Sequence, residues 1–166
     1  MANIEVGAAD DELRLCLAVE AARQGELRLA GQQANLQAAE TRATSVLSWA
    51  VTGLTAMAVL ALDQQHRTLV VPSAVCLATC TAACISVLWP KEWHTTGYTR
   101  ADLAKWKIES ELDLRESLAS GYETCTAENK VEMDRIARMM MIAWMSLALA
   151  PIAGIIMVMA FSGVRV

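Results

Sequence analysis

MMMIAWMSLALAPIAGIIMVMAFSGV (Met139–Val164) runs twenty-six residues without a charged side chain. A helix needs about 20 apolar residues to cross the hydrocarbon core of a bilayer. Two further blocks share this character: Val46–Leu62, seventeen residues, and Leu69–Trp89, twenty-one residues, both free of charge. A buried helix of a water-soluble domain rarely stays uncharged for so long. The reading is therefore three transmembrane helices, over 45–62, 69–89 and 139–162. The acidic, mixed N-terminal segment lacks the basic start and apolar stretch of a cleavable signal peptide.

These blocks explain the composition. The chain has 166 residues, of which 55% are hydrophobic and 19% charged, against roughly 25% charged in an average soluble domain. That balance excludes a disordered chain, a collagen and a disulfide-dense secreted module. The net charge is −4 and the basic residues are scattered, so nucleic acid is not an expected partner.

Lysine and arginine set the expected orientation. The 63–68 loop carries only Arg67 and the 163–166 tail only Arg165, whereas residues 1–44 carry four basic side chains and 90–138 carry eight. This places 1–44 and 90–138 in the cytoplasm, and the 63–68 loop and the C-terminus outside. Trp89 and Trp93 would mark the inner interface. The expected location is a cell membrane.

Residues 10–44 read as one helix of about 52 Å, with Asp10, Asp11 and Glu12 suiting its N-terminus. The tetrapeptide Glu12-Leu13-Arg14-Leu15 recurs as Glu26-Leu27-Arg28-Leu29, two heptads later. Leu15, Ala22, Leu29 and Leu36 then share a face. Gly25 and Gly31 are expected to weaken that seam. The helix either folds on its own chain or packs on a partner.

The 90–138 segment must break. An unbroken helix from Thr99 into the last span would start about 60 Å from the membrane edge, while residues 90–98 reach only about 30 Å. Ser110 opens Ser-Glu-Leu-Asp, a capping-box-like signal, and is preferred over Ser120-Gly121. The resulting 111–138 helix would show an inward stripe of Leu112, Ala119, Tyr122, Thr126, Asn129, Met133, Ile136 and Met140. A short helix is expected near 101–107. The fold class is an all-α membrane protein: three transmembrane helices with a cytoplasmic antiparallel helical stalk.

Within lipid, small residues allow close approach. Ala74, Ala78, Ala82 and Ser86 form one stripe of the second span, and Cys76, Cys80 and Cys84 another. Ser146, Ala150 and Gly154 recur in the third. These stripes serve packing within one protomer or between copies in a homo-oligomer. Pro151 removes a backbone hydrogen bond; the resulting kink suits gating or is only structural. The spans hold no histidine or carboxylate to complete a metal site with the cysteines, and thiols in lipid resist ionisation. Only hydroxyls, among them Ser48, Thr52, Thr55, Thr79 and Thr81, could line a polar route. His66 and His94 lie far apart, and both are expected to be solvated or interfacial. No glycine-rich phosphate loop, HExxH, GxSxG or CxxC is present. No cofactor, metal site or enzymatic activity is expected.

The junction Leu36-Gln37-Ala38-Ala39-Glu40-Thr41-Arg42-Ala43-Thr44-Ser45-Val46-Leu47 resembles the motif entering the first span of Pycsar-type effectors. Those are small membrane proteins of bacterial anti-phage systems that signal with cyclic nucleotides, and they are similar to the wider SLATT group. The motif's acid, hydroxyl, base and small residues correspond to Glu40, Thr41, Arg42, Ala43 and Ser45. Arg42 stands where a Lys is usual. Trp89-Pro90 at the end of the second span and Asp134-Arg135-Ile136-Ala137-Arg138 before the third also fit. The resemblance implies an oligomeric effector that perturbs the membrane when a cyclic nucleotide or cytoplasmic protein signals through the cytoplasmic helices. A scaffold that docks a partner or builds a homo-oligomer is the other reading.

Overall fold

A computed structural model describes residues 2–62, 67–95, 97–98, 103, 105–106 and 108–162, with the side chains of those between 11 and 160 except 67–69. It is helical, with no strand among the described residues. Helix α1 spans Ala2–Leu60, α2 spans Arg67–Leu88 and α3 spans Glu111–Ser162. All three are long and apolar enough to cross a membrane. The chain divides into two compact units. The first joins Met1–Leu36 with Glu92–Met133, and the second joins Gln37–Lys91 with Asp134–Val166.

The helix ends follow from local chemistry. Ser110 caps α3: its Oγ accepts from the Asp113 amide at 3.1 Å and donates to Asp113 Oδ2 at 2.8 Å. The reach of the connector required a break, and this cap supplies it. Gly121 does not; α3 passes through it. The Lys91 ammonium donates to the Val87 carbonyl at 2.6 Å and closes the last turn of α2, as a cation does at a helix C-terminus. Gly97 turns the connector with φ +96°, a conformation that favours glycine. Within 101–107, where a short helix is expected, Leu103 is helical, and the Trp106 amide donates to the Leu103 carbonyl at 3.1 Å in the turn that follows. The remainder of that stretch, the 63–66 loop with His66, and Arg165 lie outside the described residues, as does the side chain of Arg67.

In the first unit α1 buries Ala18, Ala22, Gly25 and Leu29, with Leu15, Gln32 and Leu36 half-buried on the same face. Their alternating spacings of three and four are those of a helix seam. Across the seam lie Ala119, Tyr122, Thr126, Asn129 and Met133, all buried or half-buried. Leu29, Ala22 and Tyr122 form the core, with Tyr98, Leu118, Ala119 and Cys125 against it. Gly25 does not weaken this seam by leaving a gap. A Cβ there would stand 2.7 Å from Tyr122 Cβ, so the missing side chain is what lets Tyr122 approach.

The second unit repeats the spacing with smaller residues. Ala43, Val46 and Ala50 of α1, Leu77, Cys80 and Cys84 of α2, and Ala143 and Ala150 of α3 make its core. Gly53 faces Leu77, whose Cδ1 would lie 3.0 Å from an added Cβ. The outward surface stays apolar: Trp49, Val59, Val75, Ile85, Met145, Ile152 and Ile156 are all exposed.

Candidate functional site

After α2 the chain enters a strap, described at residues 92–95 and 97–98, which lies against α3 within the first unit. Asn129 holds it. The Asn129 amide accepts from the His94 backbone amide at 3.1 Å and donates to the His94 carbonyl at 2.8 Å. Asn129 is 1% exposed, so this two-way bond satisfies a buried amide that would otherwise be costly. The His94 ring adds a contact, with Nε2 2.9 Å from Glu128 Oε2. His94 is thus an exposed side chain on a fixed backbone.

Tyr98 makes the second anchor. Its ring packs edge-on to Trp106 at 4.9 Å and tilted on Tyr122 at 5.5 Å. The ring seats over Gly121, where an added Cβ would collide with the hydroxyl and stand 2.9 Å from Cζ. Gly121, which the sequence offered as a helix break, is instead the notch for this ring. Burial pushes the Tyr98 phenol up to about 12, with the neighbouring Cys125 thiol adding to the rise. Burial also raises Tyr122, helped by Glu26 and Cys125. Beside Asn129 the Gln32 amide donates to the Thr126 carbonyl at 3.1 Å. Gln32 Oε1, Thr126 Oγ1 and Trp93 Nε1 are buried without a hydrogen-bond partner.

On the surface of the first unit, Glu20 falls to about 2 because Arg23 and then Gln24 hydrogen-bond its carboxylate. Arg14 pairs with Glu116 at 2.9 Å and Arg115 with Glu111 at 3.6 Å. Exposed pairs of this kind contribute little to stability.

The second unit contains the residues singled out for packing. Cys80 and Cys84 are buried and Cys76 is half-buried against the core. Ala74 and Ser86 are half-buried, while Ala78 and Ala82 face outward. The buried face of α2 is Ser73, Leu77, Cys80, Cys84 and Val87. Ser146 is half-buried and Ala150 is buried. Ser73 Oγ donates to the Ala150 carbonyl at 2.8 Å. Gly154 admits this contact, since its Cβ would lie 2.9 Å from Ser73 Oγ. Pro151 sits exposed between them, inside an α3 that continues to Ser162.

At the junction Ala43 is fully buried, Glu40 half-buried and Arg42 exposed. Thr41 and Ser45 donate to the Gln37 and Thr41 carbonyls at 2.9 and 3.1 Å. Ser48, Thr52, Thr55, Thr79 and Thr81 likewise each donate to the carbonyl four residues back, at 2.8–3.0 Å. Hydroxyls satisfied on their own helix are suited to an apolar surrounding. Among the described residues no group of three or more His, Cys, Asp or Glu is placed to hold a metal ion.

Ser73, Tyr98 and the latching role of Asn129 escape the sequence reading. Ser73 lies one turn from Leu77 and follows a proline, which is a weak signal. Tyr98 directly after Gly97 in a connector offers none. No protein-family model, curated protein or solved structure matches the chain.

Proposed function

We propose that the chain is a bacterial inner-membrane effector, acting in anti-phage defence, whose cytoplasmic helices receive a signal and whose three spans then change the ion permeability of the membrane as an oligomer. The observation that carries this reading is the latched strap. It follows α2 directly in the chain, and it is fixed to α3 at two points, Asn129 and Tyr98. A ligand or partner that displaces it releases a restraint on the segment leaving the second span. A cyclic nucleotide is the signal that the resemblance of the Glu40–Ser45 junction suggests.

Expression in bacteria carrying a potential-sensitive dye tests this. The variant Asn129→Leu removes the latch and should depolarise cells without any signal. The wild-type chain should depolarise them only with its signal. If both proteins reach the membrane and the potential holds, with every common cyclic nucleotide supplied, the effector reading fails.

A scaffold is the second reading, and Leu13, Leu17 and Leu27 favour it, since each is more than half exposed on α1 of the first unit. Such a face suits a partner helix. Leu13→Glu with Leu17→Glu should then abolish capture of a partner from detergent extracts and leave the membrane potential unchanged.

A further inference from the structure

The second unit contains a cleft of about 440 Å³ lined by Met57 and Leu60 of α1, Val70 and Ser73 of α2, and Pro151 and Gly154 of α3, with apolar side chains from the next two turns of α3. Small residues create it. Gly154 has no side chain, and Pro151 leaves the carbonyl of Leu147 without the N–H that a helix normally supplies. Along α3 the lining reaches from Pro151 to Met159, about 12 Å of helix.

The wall decides what can enter. Its polar side chain is Ser73, and that hydroxyl proton is already donated to the Ala150 carbonyl. A water molecule needs two to four polar partners to be held, and this wall does not supply them. Its volume falls within the range of about 300–1,000 Å³ for small-molecule sites. The cleft opens at Ile155, Val158 and Met159, which are exposed, onto a surface formed by charge-free sequence.

We infer that this cleft is a binding site for one acyl chain of a bilayer phospholipid, held between α1, α2 and the Pro151–Gly154 segment of α3. The inference rests on the membrane reading above. Side chains of three helices line the cleft, so a chain seated in it moves and exchanges more slowly than one on the convex surface. Its methylenes fill space that helix packing leaves open beside the proline. Occupancy therefore supports α3 where the backbone is weakest.

The full chain is reconstituted in vesicles of dioleoyl phosphatidylcholine and phosphatidylglycerol, with a trace of phosphatidylcholine spin-labelled deep in one acyl chain. Electron paramagnetic resonance then measures the motionally restricted fraction per protomer. Ile155→Trp and Val158→Trp each place a large side chain at the cleft mouth. Val51→Trp, on an exposed face outside the cleft, is the control. Both positions in α3 are half-exposed, so the helices should form in each variant, as circular dichroism checks. The expected result is a long-lived restricted component that falls at least two-fold in either cleft variant and is unchanged in the control. A component equal in all four proteins overturns the acyl-chain site and leaves the membrane reading standing. Failure of the wild-type chain to float with the vesicles overturns both.

Discussion

Gly121→Ala tests the strap at its least forgiving contact. Alanine is the better helix former, so an exposed helix interior would gain about 1 kcal/mol from the change. At position 121 the new methyl would collide with the Tyr98 hydroxyl and stand 2.9 Å from Cζ. The ring cannot slide aside, because Trp106 and Tyr122 flank it at 4.9 and 5.5 Å. Expelling it forfeits two aromatic contacts of about 0.5–1.5 kcal/mol each. It also forfeits part of the roughly 1.5–3 kcal/mol that burying a large side chain provides. The losses exceed the helix-propensity gain, and a net destabilisation of about 1–3 kcal/mol follows. Denaturant unfolding of the full chain in detergent, followed by circular dichroism and fluorescence, measures it. The decisive control is the background. Once Tyr98→Ala has emptied the notch, Gly121→Ala should stabilise by about 0.5–1 kcal/mol. A Gly121→Ala change of the same sign in both backgrounds would refute the reasoning.

Other consequences are equally direct. Because the folded chain holds the Tyr98 phenol neutral up to about 12, against about 10 when unfolded, its contribution is complete below pH 10. That contribution should be lost as pH rises from about 10 to about 12, and Tyr98→Phe should flatten this part of the stability curve. The chain has two tyrosines, so phenolate absorbance resolves the shift, and Gly121→Ala should return one phenol to the ordinary range. Leu29→Ala should cost about 2–5 kcal/mol and Leu27→Ala less than about 1, because Leu29 is 1% and Leu27 55% exposed; unfolding midpoints check the pair. Ser73→Ala removes a buried bond to the Ala150 carbonyl and should cost about 0.6 kcal/mol, a typical value between membrane helices, by unfolding in mixed micelles.

Which features were legible follows from whether the signal was local. The charge-free blocks and the Ser110 cap are written in consecutive residues, and the helices begin and end near them. The seam was legible as spacing, since Leu15, Ala22, Leu29 and Leu36 recur at seven. Its partners were less so. Gly25 reads as a weak helix residue when taken alone; only the nearness of Tyr122, almost a hundred residues on, makes its missing side chain useful. Gly121 misleads for the same reason, because its partner Tyr98 sits in a connector without periodicity. Asn129 appeared on the inward stripe, but spacing cannot reveal that its amide reaches backbone rather than α1. The alternative stripes of α2 show the same limit. Alanine and cysteine are alike at four-residue spacing, and packing buries Cys80 and Cys84 while leaving Ala78 and Ala82 outside.

The two units use one spacing with different chemistry, and that difference bears on the solvent of each. The first packs Leu29 and Tyr122 at its centre and tolerates Gln32 and Asn129 in the same seam. Water supplies the driving force for such a core, since burying bulky apolar groups is favourable in proportion to area. The second packs Ala43, Ala50, Cys80, Ala83, Ala143 and Ala150 inside and leaves Trp49, Val75, Met145 and Ile156 outside. In water that arrangement would expose the larger apolar groups and bury the smaller ones. In lipid it is sensible, because exposed side chains cost nothing there and small ones bring the helices close enough for dispersion to act. Ser48, Thr52, Thr55, Thr79 and Thr81 agree, each spent on its own helix, while Ser73 reaches across to α3. The enclosure of small residues in the second unit is suited to close helix packing in a bilayer. It yields a prediction that hydropathy does not. Ala143→Leu, more hydrophobic but fully enclosed, should disrupt the second unit by about 1–3 kcal/mol through overpacking, while Ala78→Leu should leave its fold intact. Unfolding in mixed micelles measures both, and equal tolerance at the two positions would contradict the packing account.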